Sequence, residues 1–279
     1  MIVFPHCKIN LGLHILEKRA DGFHNLETVF YPIPLCDALE LVEAPLDQTA
    51  PVEIGMEGLA VKGDLQHNLI YKAYQLIAQD YALKPATFYL LKNIPMGAGL
   101  GGGSSDGAFA IALLNQYFEL HIPFEKQVHY AAQLGSDCAY FLYHEACLAA
   151  GRGEILTPIP FSLKDYWIVL VKPAIHISTA EAFAHIKPRN TWTHYTPVAL
   201  SKVLLEPIQT WKNNLVNDFE NSLFPSYPEL AEIKNTLYQN GALYAAMSGS
   251  GSTLFGIFTS NPHLEKYYPK HFYFAGKLA

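Results

Sequence analysis

With 279 residues, half of them hydrophobic, the chain exceeds one average domain and can bury a substantial core, so two domains are expected. Only 16% of residues are charged and the formal net charge is -6, which leaves no basic surface to hold a polyanion by counterion release, so nucleic acid and acidic membrane are not expected partners. Cys7, Cys36, Cys138 and Cys147 form neither a CxxC pair nor a zinc spacing and read as reduced thiols; with no basic-then-apolar leader and no apolar run near the ~18 residues of a membrane span, a soluble cytoplasmic protein is expected.

In chain order, Ile9, Leu11, Leu13 and Ile15 alternate with Lys8, Asn10, Gly12 and His14. That is the two-residue period of a strand with one buried face, and it gathers Lys8, Asn10 and His14 on the other. Residues 27–35, 37–43 and 52–57 read as further strands, broken by Pro32, Pro34, Pro45 and Pro51. Asn68 is placed to cap a helix with the stripe Ile70, Ala73, Tyr74, Ile77, Ala78 and Tyr81, and 86–92 reads as a strand. After a glycine loop, 106–117 is apolar on nearly every side and reads as a central buried helix, followed by another over 124–134. Gly135 suits a helix C′ position and Ser136 an N-cap, which sets Asp137 in the first turn of a helix over 138–143. Beyond Gly151-Arg-Gly153 come a strand over 167–172, a polar, proline-marked stretch over 187–197, and a helix over 229–239 with Leu230, Ile233 and Leu237 on one face. Strands over 243–247 and 253–258 flank a second glycine loop, and a domain boundary is expected near residue 155.

The densest signal is Pro95-Met96-Gly97-Ala98-Gly99-Leu100-Gly101-Gly102-Gly103-Ser104-Ser105, between an expected strand and an expected helix. Without Cβ atoms such a segment can curl tightly, turn successive N–H groups inward and approach a ligand closely, and the following helix N-terminus favours an anion. Phosphate is the natural guest. Gly97, Gly99 and Gly102 also satisfy G-x-G-x-x-G, which keeps an NAD(P)-dependent oxidoreductase as a rival, although the acidic ribose ligand expected ~20 residues on has only Glu119 as a poor candidate. No G-K-[ST] closes a Walker loop.

The loop resembles the second signature of the GHMP kinases, with Lys8-Ile-Asn10-Leu-Gly-Leu in the place of the first and Met247-Ser-Gly-Ser-Gly-Ser-Thr253 similar to the glycine-rich third. Within that superfamily, residues 8–13, 19–24, 99–105 and 134–137 are most similar to the members of the non-mevalonate isoprenoid pathway that phosphorylate the 2-hydroxyl of a cytidine-diphosphate-linked methylerythritol with ATP. The resemblance implies an α+β, two-domain architecture, with a ribosomal S5 domain 2-like part over 1–155, a ferredoxin-like part over 156–279 and the site in the cleft between them. It implies ATP with Mg²⁺, a cytidine-diphosphate polyol as the other small-molecule partner, and a monomer or weak homodimer. Other GHMP specificities, of the mevalonate or homoserine type, and a non-catalytic nucleotide sensor are the alternatives.

Lys8 and Asp137 match the superfamily's catalytic pair. The attacking hydroxyl must lose a proton while the transferring group carries negative charge, so a carboxylate that accepts the proton or orients the hydroxyl and a cation that neutralises charge are the right residue types. Outside that context they read as an ordinary cap aspartate and a surface lysine. Residues 95–105 are implied to bind ATP. Asn10, two residues from Lys8, shares its side of the strand. Phe23 and His24 match a cytosine-reading pair, ring for stacking and imidazole for the pyrimidine edge, with Phe183 as a second stacking face. Lys92 is read as near the adenine end or as a solubilising surface lysine. Since Gly102 and Gly103 stand where several GHMP kinases carry a magnesium-binding serine, no protein ligand is assigned to the metal.

Overall fold

The computed structural model describes residues 1–61, 63–184, 186–191 and 199–279. In chain order these form strands β1 (Ile2–Val3), β2 (His6–Lys18), β3 (His24–Cys36), β4 (Ala38–Glu43) and β5 (Val52–Gly58), helix α1 (Leu69–Ala78), strand β6 (Ala86–Lys92), and helices α2 (Gly102–Tyr117) and α3 (Phe124–Leu134). There follow β7 (Cys147–Gly151), β8 (Ile155–Pro158), β9 (Trp167–Lys172), the short helices α4 (Thr179–Ala184), α5 (Leu200–Val203), α6 (Trp211–Asn214) and α7 (Asp218–Leu223), then α8 (Pro228–Gln239), β10 (Tyr244–Met247), β11 (Leu254–Phe258) and β12 (Phe272–Lys277). They divide into two compact units: Met1–Cys7, Leu35–Met96 and Gly101–His144 form the first, and Lys8–Pro34, Gly97–Leu100 and Glu145–Ala279 the second. The boundary expected near residue 155 falls inside the second unit. The stretch expected over 187–197 lies outside the described residues from 192 onward.

In the first unit a sheet of order β1-β4-β6-β5 carries one parallel pair, β5 with β6. A parallel pair needs a crossover, and α1 supplies it. Asn68 caps α1 as expected, its side chain accepting from the Ile70 N–H at 2.9 Å, and Ile70, Ala73, Tyr74 and Ile77 are buried. Helix α2 packs against α1, α3 and β4, burying Ala108, Ala110, Ile111, Leu113 and Leu114. It begins at Gly102 rather than at residue 106, because glycine and serine give no apolar period by which a first turn could be recognised.

The second unit holds two sheets, β2-β3-β7-β8, in which β3, β7 and β8 pair antiparallel, and the antiparallel β10-β11-β9-β12. Counted along the segment, the latter is ordered fourth-first-third-second, the order of a ferredoxin-like sheet; between β11 and β12 stands the 3-10 turn Glu265–Tyr267. Its core gathers Leu13, Ile15, Val169, Val171, Phe219, Leu230, Ile233, Leu237, Met247 and Leu254.

Two expectations about the early strands are corrected. Strand β2 is buried on both faces, since Lys8, Asn10 and His14 are as enclosed as Ile9, Leu11 and Leu13; alternation in polarity does not distinguish a solvated face from a buried polar one. Strand β3 runs through Pro32 and Pro34 instead of breaking there. Its pairing with β7 ends at Phe30, so no N–H is demanded of the prolines on that side. The short strands β1, β7, β8 and β12 and helices α4 to α7 had no clear period in the sequence. Among the described residues no helix is long and apolar enough to cross a membrane.

Candidate active site

The second unit assembles a polar cluster on β2. Lys8 is 3% exposed; its Nζ donates to Asn10 Oδ1 at 2.7 Å and lies 4.7 Å above the Phe30 ring. Asn10 Nδ2 donates to Thr28 Oγ1 at 3.0 Å, and the Thr28 hydroxyl donates to the Gly12 carbonyl at 2.6 Å. This relay fixes which end of the Asn10 amide faces the ammonium. The structure therefore brings Lys8 and Asn10 together as their spacing implies.

Gly97, Gly99 and Gly101 all have positive φ, at 58°, 75° and 72°. At Gly99 a Cβ would stand 2.0 Å from the Ser248 carbonyl oxygen, so only glycine fits there. The loop is fastened by its carbonyls. Lys8 N–H donates to Leu100 O at 3.0 Å, Thr253 N–H to Ala98 O at 3.3 Å, and the Ser248 hydroxyl to Gly99 O at 2.8 Å, while Ser248 Oγ accepts from Asn10 N–H at 3.3 Å. With three successive carbonyls held by the protein, the N–H side of the loop is the one suited to an anion.

Three buried residues that sequence reasoning passed over brace this arrangement. Asn217 Nδ2 donates to the carbonyls of Met247 at 2.7 Å and Gly249 at 2.8 Å, while its Oδ1 accepts from Phe219 N–H at 3.0 Å and caps α7. Glu220 Oε1 accepts from Met247 N–H at 2.7 Å. Asp218 Oδ2 accepts from Ile15 N–H at 2.8 Å, and its carboxylate takes a two-point contact from Arg189 at 2.8 and 2.6 Å. The available signal was the run Asn217-Asp218-Phe219-Glu220, a cap residue followed by acids in a first turn.

The first unit contributes the rest of the glycine segment. Gly101 is the N-cap of α2, and Gly102, Gly103, Ser104 and Ser105 form its first turn instead of an irregular loop. The leading N–H groups of a helix have no partner within it, and they carry the positive end of its dipole. Pro95 is half-buried and Met96 exposed; Met96 lines a pocket with Met56, Asn68, Leu69, Gly103 and Asp106. Asp137 is half-buried and stands at the N-cap of the five-residue 3-10 turn Cys138–Leu142, not in a helix's first turn. Gly135 is extended, with φ 171°, so Ser136 does not begin the turn. The Ser104 hydroxyl bonds the Cys138 thiol, and burial pushes that thiol up to about 12, which makes Cys138 a packing group rather than a nucleophile. Lys92 is no surface lysine: it is fully buried and paired with Asp37 and Asp106.

At the expected cytosine end, His24 and Phe183 are stacked, with ring centroids 4.8 Å apart and planes 19° from parallel, and Phe183 meets Phe219 edge-on. Desolvation, with Lys18 adding to it, lowers the His24 pKa, so the imidazole is neutral at pH 7 and offers one donor and one acceptor. Phe23 is 54% exposed under the Arg152 guanidinium, 5.1 Å from its ring centroid, and does not join the stack. Lys8, Asn10, Phe23, His24 and Phe183 belong to the second unit and Asp137 to the first. Among the described residues no three His, Cys, Asp or Glu side chains gather to hold a metal ion.

Residues 68–145 match the family model of the GHMP kinases N terminal domain and 201–270 that of the GHMP kinases C terminal domain. A Bacteroides fragilis protein named 4-diphosphocytidyl-2-C-methyl-D-erythritol kinase is 51% identical over 95% of both chains. One of the same name from Bacteroides thetaiotaomicron is 48% identical over 92% of both. A solved structure of 4-(cytidine 5'-diphospho)-2C-methyl-D-erythritol kinase superposes with TM-score 0.82 at 28% identity, covering 100% of this chain and 99% of that one. A mevalonate kinase, at 14% identity and TM-score 0.74 with 100% and 99% covered, shares the fold.

Gly99→Ala adds a methyl against a carbonyl as well as straining the backbone, whereas Gly241→Ala, at φ 93° with no atom of the described residues beyond its chain neighbours within 4 Å of its Cβ, adds strain alone. Urea denaturation is expected to show a loss of about 1 kcal/mol for Gly241→Ala and clearly more for Gly99→Ala. Equal losses would mean that the contact with Ser248 does not constrain the loop.

Proposed function

Because this chain belongs to the GHMP kinases, we propose that it transfers the γ-phosphoryl group of ATP to the 2-hydroxyl of 4-(cytidine 5'-diphospho)-2-C-methyl-D-erythritol, giving the 2-phosphate and ADP in non-mevalonate isoprenoid biosynthesis. The observation that carries the specificity is the 51% identity, across nearly the whole of both chains, to a protein of that name. The buried Lys8–Asn10 pair and a neutral His24 beside an aromatic ring are the side-chain chemistry such a substrate needs.

In the reaction the hydroxyl oxygen forms a bond to the γ-phosphorus as the bond from that phosphorus to the β,γ-bridging oxygen breaks, and ADP leaves with the electron pair. Residues 95–105 supply the cradle: N–H groups of the glycine segment and of the first turn of α2 face the phosphates, and the pocket beside Gly103, Asn68 and Leu69 takes the adenine. Lys8 balances charge on the transferring group, held by Asn10 so that its ammonium has a fixed direction. Asp137 accepts the hydroxyl proton or orients the hydroxyl for attack. Asn10 holds substrate hydroxyls, His24 reads the cytosine edge, and Phe23 and Phe183 offer it stacking faces. Mg²⁺ accompanies ATP and, when bound, neutralises phosphate charge; no protein ligand is assigned to it. A monomer or weak homodimer in the cytoplasm completes the reading.

The purified protein is expected to convert ATP to ADP with the cytidine-diphosphate polyol and not with mevalonate or homoserine; equal turnover of the latter would overturn the specificity. Asp137→Ala is expected to lower turnover about 10²- to 10⁴-fold, the usual range for a lost acid–base group, with ATP affinity nearly intact. Turnover close to that of the unaltered protein would remove Asp137 from the chemistry. His24→Ala is expected to raise the KM for the cytidine substrate more than that for ATP, and the reverse ranking would reassign His24.

A further inference from the structure

Behind the first turn of α2 two carboxylates share one cation. Lys92 Nζ donates to Asp37 Oδ2 and, at 2.7 Å, to Asp106 Oδ2. All three residues are buried, with Asp106 4% exposed. Asp37 is committed as an acceptor, its Oδ1 taking the N–H groups of Asn93 at 2.6 Å and Ile94 at 2.8 Å. Among the described residues Asp106 Oδ1 has no hydrogen-bond partner. In a low-dielectric interior one ammonium balances one carboxylate, and a second anion is held only at high cost, so one carboxyl keeps a proton. The hydrogen bonds assign that proton to Asp106. Burial, opposed by Lys92 and reinforced by Asp37, pushes Asp106 up to about 8.

The location gives this proton a consequence. A Cβ on Gly102, the first residue of α2, would lie 3.1 Å from Lys92 Nζ. Asp106 is also one wall of the pocket to which Gly103, Asp64, His67 and Asn68 contribute. Of the groups facing it, Lys92 on β6 and Asp37 ahead of β4 touch it directly, Asp64 and His67 share the pocket wall, and Cys138 meets α2 through Ser104. Ionising Asp106 leaves an unbalanced negative charge at the helix end that must receive an anion, which opposes the helix dipole where it is needed.

We propose that Asp37, Lys92 and Asp106 form a positioning unit behind the nucleotide site and that ATP binds with uptake of a proton onto Asp106. The inference rests on the reading of the glycine segment and α2 as the ATP site. The proton comes from solvent and forms the Oδ1–H bond; no other bond changes. Well below pH 8 Asp106 already holds its proton, so binding needs none. Above it, each bound ATP draws one in and affinity falls, by about tenfold between pH 7 and pH 9.

Titration calorimetry with ATP at fixed Mg²⁺, at pH 8.5 in two buffers of different ionisation enthalpy, reads this directly. More than about half a proton is expected to be taken up per ATP by the unaltered protein. Asp106→Asn, isosteric with the protonated acid, is expected to show no uptake and no fall in affinity from pH 7 to 9. Asp37→Asn is the second variant: it leaves Lys92 with one carboxylate, and uptake is again expected to vanish. ATP binding without proton uptake, or uptake that persists in both variants, overturns the inference and leaves the ATP site standing. Failure of the unaltered protein to bind ATP at pH 7 overturns the nucleotide reading itself.

Discussion

The Ser248 hydroxyl is the knot on which the polar cluster of the second unit depends. It accepts from the Asn10 N–H and donates to the Gly99 carbonyl, joining the strand of Lys8, the glycine loop and the loop between β10 and β11. One hydroxyl can do this because Gly99 lets the two loop backbones approach to a distance no Cβ would tolerate. Each such bond contributes only about 1 kcal/mol to stability, so its value lies in direction rather than strength. It sets how the loop lies relative to Lys8.

Around that knot the second unit spends buried polar groups freely. Asn217 fixes two carbonyls of the loop that carries Ser248, Glu220 fixes the N–H of Met247, and Asp218 ties β2 to Arg189. A buried amide or carboxylate is costly unless satisfied, and each of these has several partners. The arrangement serves to fix the backbone of that loop more than to stabilise a core, since replacing such groups with hydrocarbon is often no loss to folding. The first unit uses the same device at the helix end, where Lys92 anchors Asp37 and Asp106 beneath Gly102.

The glycine segment, the capped helix α1 and the strands over 86–92 and 167–172 were legible because each has a local cause: positive φ, an N-cap, or a run of β-formers closed by breakers. Lys8 and Asn10 were placed on one side of a strand by period alone, and the structure joins them by a hydrogen bond. What stayed hidden is what depends on distant partners. Nothing near Lys92 in the sequence announces that Asp37 and Asp106 will enclose it, and the value of Asn217 depends on a loop 30 residues away. The helical start at Gly102 was hidden by its own composition, and Asp137 was set one position too far into its turn because a five-residue 3-10 segment follows no capping period.

The proposed activity requires bare backbone to meet phosphate between Gly97 and Ser105. Amide NMR of protein carrying ¹⁵N-labelled glycine, titrated with ATP, examines that contact without relying on turnover. Saturable shifts are predicted at Gly97, Gly99, Gly101, Gly102 and Gly103, with Gly241 and Gly276 unmoved. Saturating ATP that leaves those five amides in place would contradict it.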